Sequence, residues 1–259
     1  MNLSRVWGII LRHVFLTTHQ LERFSDLFMF PLFGLVLWGF LANYVQFQSS
    51  SLASFFLGGL ILWIIFERVG TSIGIDFMWD IWEKNIMNVL ASPITLLEYI
   101  GGLVIVSVAK VFISFIAMIL VVLAFYNIEV ISGLGFSLVF FWINLVFFAV
   151  VMGIFDIVLV IRFGRAVGPL TWILPFMIQP FSAVFYPVSV FPEVLQKIVW
   201  FLPLSHVFEG MREVFATGNF NQGAFFIALV LNIVYFVLVV LLFSYTFNVV
   251  KRKGTLVKL

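Results

Sequence analysis

The chain has no cysteine, which excludes a disulfide framework, a thiolate metal site and a cysteine nucleophile. Charge is also scarce: Asp, Glu, Lys and Arg make up 10% of the residues, against roughly 25% in a soluble domain. The three histidines, His13, His19 and His206, occur without HExxH or any other metal-ligand spacing, so no metal site is expected. No serine lies in a GxSxG-like turn, and the adjacency of Ser205 and His206 does not make a nucleophile and base. Asp156 is the only Asp deep in an apolar stretch, so a paired-aspartate protease would lack its second carboxylate. No GxxxxGK[ST] phosphate loop occurs, and the chain by itself has no ordinary cradle for a nucleoside triphosphate. No catalytic residue is assigned.

What the chain has in abundance is hydrophobic residues, 63% of 259. They form six runs at about 27–46, 53–75, 102–125, 134–160, 167–186 and 224–250, each near or above the roughly 20 residues that cross a hydrocarbon core about 30 Å thick. The expected fold is a single all-α polytopic membrane domain over 1–259, with the lipid bilayer as its solvent. A net charge of +2 and a pI near 9.0 would suggest nucleic acid in a soluble protein. Here the basic residues sit beside the ends of the runs, and no nucleic-acid partner is expected.

With the N-terminus cytoplasmic, the inner segments hold Arg5, Arg12, Arg23, Lys84, Arg162, Arg165, Lys251, Arg252, Lys253 and Lys258. The outer segments hold only Lys197 and Arg212. Ten against two predicts an integral protein of a prokaryotic cytoplasmic membrane with both termini inside. The apolar run of residues 1–23 is interrupted by Arg12 and His13 and has no small-residue cleavage site, unlike a cleaved signal peptide. Leu3, Val6, Trp7, Ile10, Val14 and Leu21 fall on one helical face and Arg5, Arg12, His19 and Arg23 on the other. That pattern predicts an interfacial helix with its basic face towards headgroups.

The connections differ in kind. Segments 47–52 and 126–133 read as short outer turns. Segment 76–101 mixes charge with Trp79, Trp82 and Ile86, which predicts a short cytoplasmic helix broken at Pro93. Trp82, Ile86 and Leu90 recur at i, i+4 and i+8, an apolar ridge on one helical face. Six of the eight prolines, at 169, 175, 180, 187, 192 and 203, crowd the fifth run and the segment after it. Pro175 and Pro180 predict a kinked span. Stretches 192–201 and 204–216 predict two short helices re-entering the outer leaflet, which requires cover for their broken backbone. Glu67, Arg68, Lys110 and Asp156 lie within runs. They are read either as a polar lining, with Glu67 or Asp156 paired to Lys110 or Arg68, or as snorkelling and packing groups.

Two segments carry a family resemblance. IWEKNIMNVLASPITLLEYIGG at 81–102 is similar to the cytoplasmic loop between spans two and three of type-2 ABC transporter permeases. FYPVSVFPEVLQKIVWFLPLSHVFEGMREVF at 185–215 resembles the same family's segment after span five, with Leu-Pro-Leu-x-His and Glu-Gly-x-Arg. The resemblance implies an ATP-driven export permease that dimerises with a second copy or a close relative. It also implies two separate ATP-binding subunits that carry ATP and Mg, no cofactor on this chain, and no enzymatic activity of its own. It makes 82–91 a coupling helix, with Trp82, Ile86, Leu90 and Pro93. It makes 187–216 an outer gate, with Pro187, Pro192, Pro203, His206, Glu209 and Arg212. The resemblance does not fix the cargo; a drug-like or lipid-like amphiphile is the first expectation, with polysaccharide as the further option. An ion-gradient transporter would call for inverted repeats and midplane ionisable groups, neither of which is evident. A non-transporting scaffold would equally explain an apolar midplane.

Overall fold

The computed structural model describes residues 2–46, 50–125 and 133–253, and every regular element in them is helical. Most of the two expected outer turns, Lys258 and the Arg165 side chain fall outside the described residues. The chain opens with α1 (Leu3–His19) and turns at Gln20, whose extended backbone (φ −104°, ψ 112°) separates α1 from α2 (Leu21–Gln46). Then come α3 (Ser50–Trp82), the short α4 (Ile86–Ala91), α5 (Leu96–Phe125) and α6 (Ser137–Phe163). The rest comprises α7 (Gly168–Ile178), α8 (Glu193–Val199), α9 (Pro203–Thr217) and α10 (Gln222–Arg252).

Five helices are long and apolar enough to cross a membrane: Leu21–Ala42, Ser54–Trp82, Leu96–Phe125, Ser137–Phe163 and Gln222–Arg252. The fifth expected run, 167–186, does not form one long helix. A 3-10 turn (Gly164–Val167) precedes α7, Pro175 sits inside it, and a second 3-10 turn over Gln179–Phe181 follows. A proline removes a backbone donor and crowds the preceding turn, so two of them five residues apart shorten the α-helix.

The centre of the molecule is α3, with 83% of its most apolar window buried against 17% for α10. It packs closely on α6 because small residues line the crossing. A Cβ on Gly70 would stand 3.2 Å from the Ala149 carbonyl oxygen, and one on Gly153 2.7 Å from Ile73 Cβ. In hydrocarbon, where apolar side chains gain little by leaving lipid, such close approach is what holds helices together. Leucine, isoleucine and phenylalanine on the outer helices remain exposed, as on α2 (Phe30, Phe33, Leu37) and α10 (Val230, Val237, Leu241). Such faces suit lipid rather than water. Asn232 of α10, fully buried, donates to the Asn144 backbone and side-chain oxygens of α6 at 3.0 Å each, a polar clasp inside the apolar bundle.

Candidate functional site

At the end of the bundle where α1, α4 and the start of α5 meet, the buried face of α1 carries Val6, Ile9, His13 and Thr17. This face differs from the expected one: Trp7, Leu3 and Val14 are exposed, and the protein covers the next stripe round. Gly102 of α5 admits the contact, since a Cβ there would lie 2.7 Å from Ile9 Cγ2. One turn beyond Ile9, His13 is fully buried between two carboxylates of α3, Asp76 and Asp80. These are four residues apart and therefore share a face. His13 Nδ1 stands 3.7 Å from Asp76 Oδ2 and Nε2 3.7 Å from Asp80 Oδ2.

Each carboxylate gathers further partners from other helices. Arg12 forks onto both oxygens of Asp80, with Nη1 donating to Oδ2 at 2.8 Å, and the Tyr99 hydroxyl of α5 donates to the same Oδ2. Asp76 accepts from Arg23 of α2 at 2.9 Å and from Lys110 of α5 at 2.8 Å. The expectation that Arg12 and Arg23 face headgroups is therefore corrected: both turn inward, because two buried carboxylates hold them more strongly than solvated phosphates would. Burial opposes charge on His13, but Asp76 and Asp80 outweigh it and raise its pKa above the usual 6.5. The result is a four-helix knot of charge-assisted hydrogen bonds, in which removing either carboxylate leaves the cations on it without their acceptor. A second tie lies alongside: Glu98 of α5 accepts from the backbone N–H of Asn2 at 2.6 Å and of Thr95 at 2.9 Å.

The knot reaches α4. Asn85 Nδ2 donates to Asp80 Oδ1 at 3.3 Å, and Arg23 Nη2 lies 3.7 Å from Glu83. Between them Lys84 takes a left-handed backbone (φ 58°). This break corrects the expected single helix over 82–91. Trp82 ends α3, Ile86 begins α4, and the two do not share a helical face. Ile86 and Val89 are buried against the bundle, whereas Met87, Asn88, Ala91 and Pro93 are exposed. The Leu90 side chain lies outside the described residues. Ile86 of the expected ridge is thus core and Trp82 is partly buried, and Met87, Asn88 and Ala91 lie on the outward face of α4.

Of the in-span groups, Glu67 and Arg68 pair as one of the expected alternatives, while Lys110 and Asp156 do not join them. Arg68 Nη1 donates to Asp26 of α2 at 2.8 Å and its Nη2 lies 3.3 Å from Glu67. Lys110 goes to Asp76 rather than to Glu67 or Asp156. Asp156 is 2% exposed, and its Oδ1 and the nearby buried Thr171 Oγ1 have no hydrogen-bond partner. A Cβ on Gly74 would meet Asp156 Oδ2 and Thr171 Cγ2, each at 2.9 Å, so the expected pairing of Asp156 does not form.

At the other end, Pro187 and Pro192 precede a 3-10 turn (Val188–Val190) and α8, and Pro203 opens α9. Proline is tolerated there because the N–H groups at the start of a helix have no intrahelical acceptor, so none of the helix's bonds is lost. His206 Nε2 is 2.7 Å from the Trp200 carbonyl oxygen. Glu209 accepts from Val188 N–H at 2.6 Å and from Arg212 at 3.3 Å, while Arg212 donates to the carbonyls of Ala183 and Val184. Ala183 has a left-handed backbone (φ 57°), and the Arg212 guanidinium caps that turn.

The family model of the ABC-2 type transporter membrane domain matches residues 3–216, from α1 to the end of α9. The chain belongs to the ABC-2 transporter permeases. No curated protein matches it. The match to this permease family takes in both the α1–α3–α5 knot and the proline-interrupted outer segment, and leaves α10 beyond it.

Asp76, Asp80, Tyr99, His13 and Glu98 are the permease residues that the linear reading passed over. Their signal was present: two acids at spacing four after an apolar run, with a basic helix in the same chain able to answer them. Reading 76–101 as a separate cytoplasmic segment with its own short helix, rather than as the end of α3 and the start of α5, hid it.

Proposed function

We propose that the permease is the membrane half of an ATP-driven exporter. Both termini are cytoplasmic; it pairs with a second permease copy and docks two ATP-binding subunits that carry ATP and Mg. The sixth crossing is α7 with its following 3-10 turn. At 1.5 Å per residue an 11-residue helix gives about 16 Å, short of a hydrocarbon core of roughly 30 Å. A crossing that short requires the outer leaflet to be filled by other helices, and α8 and α9, re-entering from outside as an outer gate, are suited to that. The cargo is a drug-like or lipid-like amphiphile.

The observation that carries the reading is the knot beside α4. A lever transmits rigid-body motion only when its fulcrum does not yield. Here α1, α2, α3 and α5 are tied within about two turns of the α3–α4 break. Closure of an ATPase against α4 would then tilt α3 and α5 together. The contact face is Met87, Asn88 and Ala91, with Pro93 beside it; Ile86 anchors α4 from behind.

The test is a pair of charge insertions. Met87→Asp with Asn88→Asp leaves the core untouched and is expected to release the ATPase or abolish transport-coupled hydrolysis by at least about tenfold, the loss of roughly 1.4 kcal/mol of docking. Ile86→Asp, by contrast, is expected to destabilise the permease itself. Normal coupling in the exposed double variant would remove α4 from the contact. Failure of any ATPase to copurify with the unaltered chain would count against the exporter reading.

A further inference from the structure

Helix α7 is held to the bundle by a narrow contact. Only Gly168, Thr171 and Pro175 of it are buried, while Trp172, Ile173, Phe176 and Met177 are exposed. The buried stripe lies along α3. A Cβ on Gly168 would stand 2.8 Å from Trp82 Cζ2 and 3.1 Å from Met78 Sδ, and one on Gly74 would stand 2.9 Å from Thr171 Cγ2. The same Cβ on Gly74 would also meet Asp156 of α6, 2.7 Å from its Cβ and 2.9 Å from Oδ2. Asp156 therefore lies under the middle of the contact that seats α7.

This environment does not suit an ionised carboxylate. Asp76, Asp80 and Glu98, buried to a similar degree, each accept from at least two donors. Asp156 Oδ1 has no hydrogen-bond partner, and no ion pair reaches the group among the described residues. The charges around it are engaged elsewhere. On α3, Glu67 and Arg68 pair with each other and with Asp26, while Asp76 and Asp80 take His13, Arg12, Arg23 and Lys110. Helix α7 has no titratable residue, and Arg162 on α6 is exposed. On α10, Tyr235 bonds the Phe201 carbonyl, and Tyr245, Lys251 and Arg252 are exposed. The charged residues of α9 serve the opposite end. A carboxyl taken from water with no counter-charge takes up a proton instead. The acid also suits its neighbours, because it has an O–H to donate where a carboxylate has none. The facing turn of α7 offers acceptors: Thr171 Oγ1, which has no partner, and the Thr171 carbonyl, to which Pro175 has no N–H to give.

The geometry points to Asp156 as a proton-binding site linked to the position of α7. The carboxyl keeps its proton while Thr171 rests on Gly74, and passes it to water when α7 lifts away and water enters. Asp156 lies within two turns of the end of α6, about 10 Å along the axis, so with both termini cytoplasmic the proton leaves to the inner side. The seated form binds one proton more than the lifted form, so raising the pH favours lifting and lowering it favours seating. The site stands apart from the exporter reading, which supplies only an occasion for α7 to move.

The proton is sought by infrared spectroscopy on the purified full-length permease in lipid nanodiscs near neutral pH. The parent is expected to show a carboxylic-acid carbonyl band that shifts in heavy water and is missing from Asp156→Asn. Loss of carboxylate bands in its place would mean an ionised group and overturn the site. If Asp156→Asn does not fold, Asp156→Glu is expected to move the acid band, and acid bands left unmoved would overturn the site equally. The link to α7 is read with Thr171→Cys, in a chain that has no cysteine of its own. Its modification by a water-soluble maleimide is expected to rise with pH more steeply than in the same variant carrying Asp156→Asn, which controls for ionisation of the thiol. One linked proton is worth up to about tenfold per pH unit. Equal slopes would overturn the link. Should Thr171→Cys not fold, hydrogen exchange over 168–178, corrected for the intrinsic effect of pH, makes the same comparison between the parent and Asp156→Asn. None of these measurements uses an ATPase, so failure of the exporter reading would leave their outcome standing.

Discussion

The two ends of the permease are held by different chemistry. At the α4 end, side chains from distant segments pair with one another: Arg12 with Asp80, Arg23 and Lys110 with Asp76, Tyr99 with Asp80. At the α8–α9 end, side chains pair with backbone. Arg212 serves the carbonyls of Ala183 and Val184, Glu209 the N–H of Val188, His206 the carbonyl of Trp200 and Tyr235 that of Phe201. The reason is the state of the main chain. Long helices satisfy their own backbone and leave ionised side chains to find each other. A segment interrupted by prolines has orphan carbonyls and amides that must be met before it can approach hydrocarbon. The first arrangement makes a stiff block, while the second lets two short helices pack with few regular bonds. That contrast suits a lever at one end and a gate at the other.

The largest expected effect comes from breaking the stiff end. Asp80→Ala leaves Arg12, His13 and Tyr99 facing a void, and breaking a buried ion pair from one side costs roughly 3–5 kcal/mol. We expect thermal unfolding in detergent to fall sharply, with Asp80→Asn intermediate because it can still accept hydrogen bonds. An Asp80→Ala protein as stable as the parent would show that the knot does not hold α1 to the bundle. At the other end Arg212→Leu orphans two backbone carbonyls, for which roughly 1–3 kcal/mol is expected. The effect should be local: protease or hydrogen-exchange protection lost around 183–200 while the α4 end stays protected. Loss of protection at both ends would mean that the ends are not independent.

Some of this contrast was legible in the linear sequence. The proline cluster marks where backbone is broken, and Glu209 and Arg212, three apart on α9, do pair. Five of the six apolar runs coincide with helices long enough to cross a membrane. The fifth run misled because composition reports length of hydrophobicity, whereas Pro175 and Pro180 decide length of helix. The knot was hidden for a related reason. Periodicity shows which residues of α1 share a face but not which face the bundle covers, and the basic stripe looked like a partner for headgroups until Asp76 and Asp80 stood opposite it. Likewise α3 was expected to end near 75, and only its continuation to Trp82 brings both acids onto one helical face.

His13 gives a gentler probe of the stiff end. It faces Asp76 and Asp80 of α3, with Arg12 on its own helix, Arg23 on α2, and Lys110 and Tyr99 on α5 in the same network. Because its folded pKa is raised, its contribution to stability is complete below the unfolded value near 6.5 and is lost as pH rises through the folded value. Stability should therefore decline with rising pH above about 6.5. In His13→Gln that component of the slope should vanish. An identical pH profile in the variant would place the titration elsewhere.

The smallest effect is expected at Asp156, the one buried carboxyl without an ion pair among the described residues. It lies within α6 like a member of the stiff end, yet no ion pair reaches it among the described residues, and its neighbour Thr171 is also without a hydrogen-bond partner. Asp156→Asn keeps the shape that Gly74 accommodates and breaks no ion pair among the described residues, so stability should change by less than about 0.5 kcal/mol. Ionisable groups inside a membrane are nonetheless rarely idle. If Asp156→Asn leaves the isolated permease as stable as the parent but lowers transport by the assembled complex, the carboxyl acts in a second conformation or against a second copy. If instead it destabilises the permease as much as Asp80→Asn, a partner for Asp156 exists within the fold, and the division between paired and unpaired acids along α3 and α6 must be redrawn.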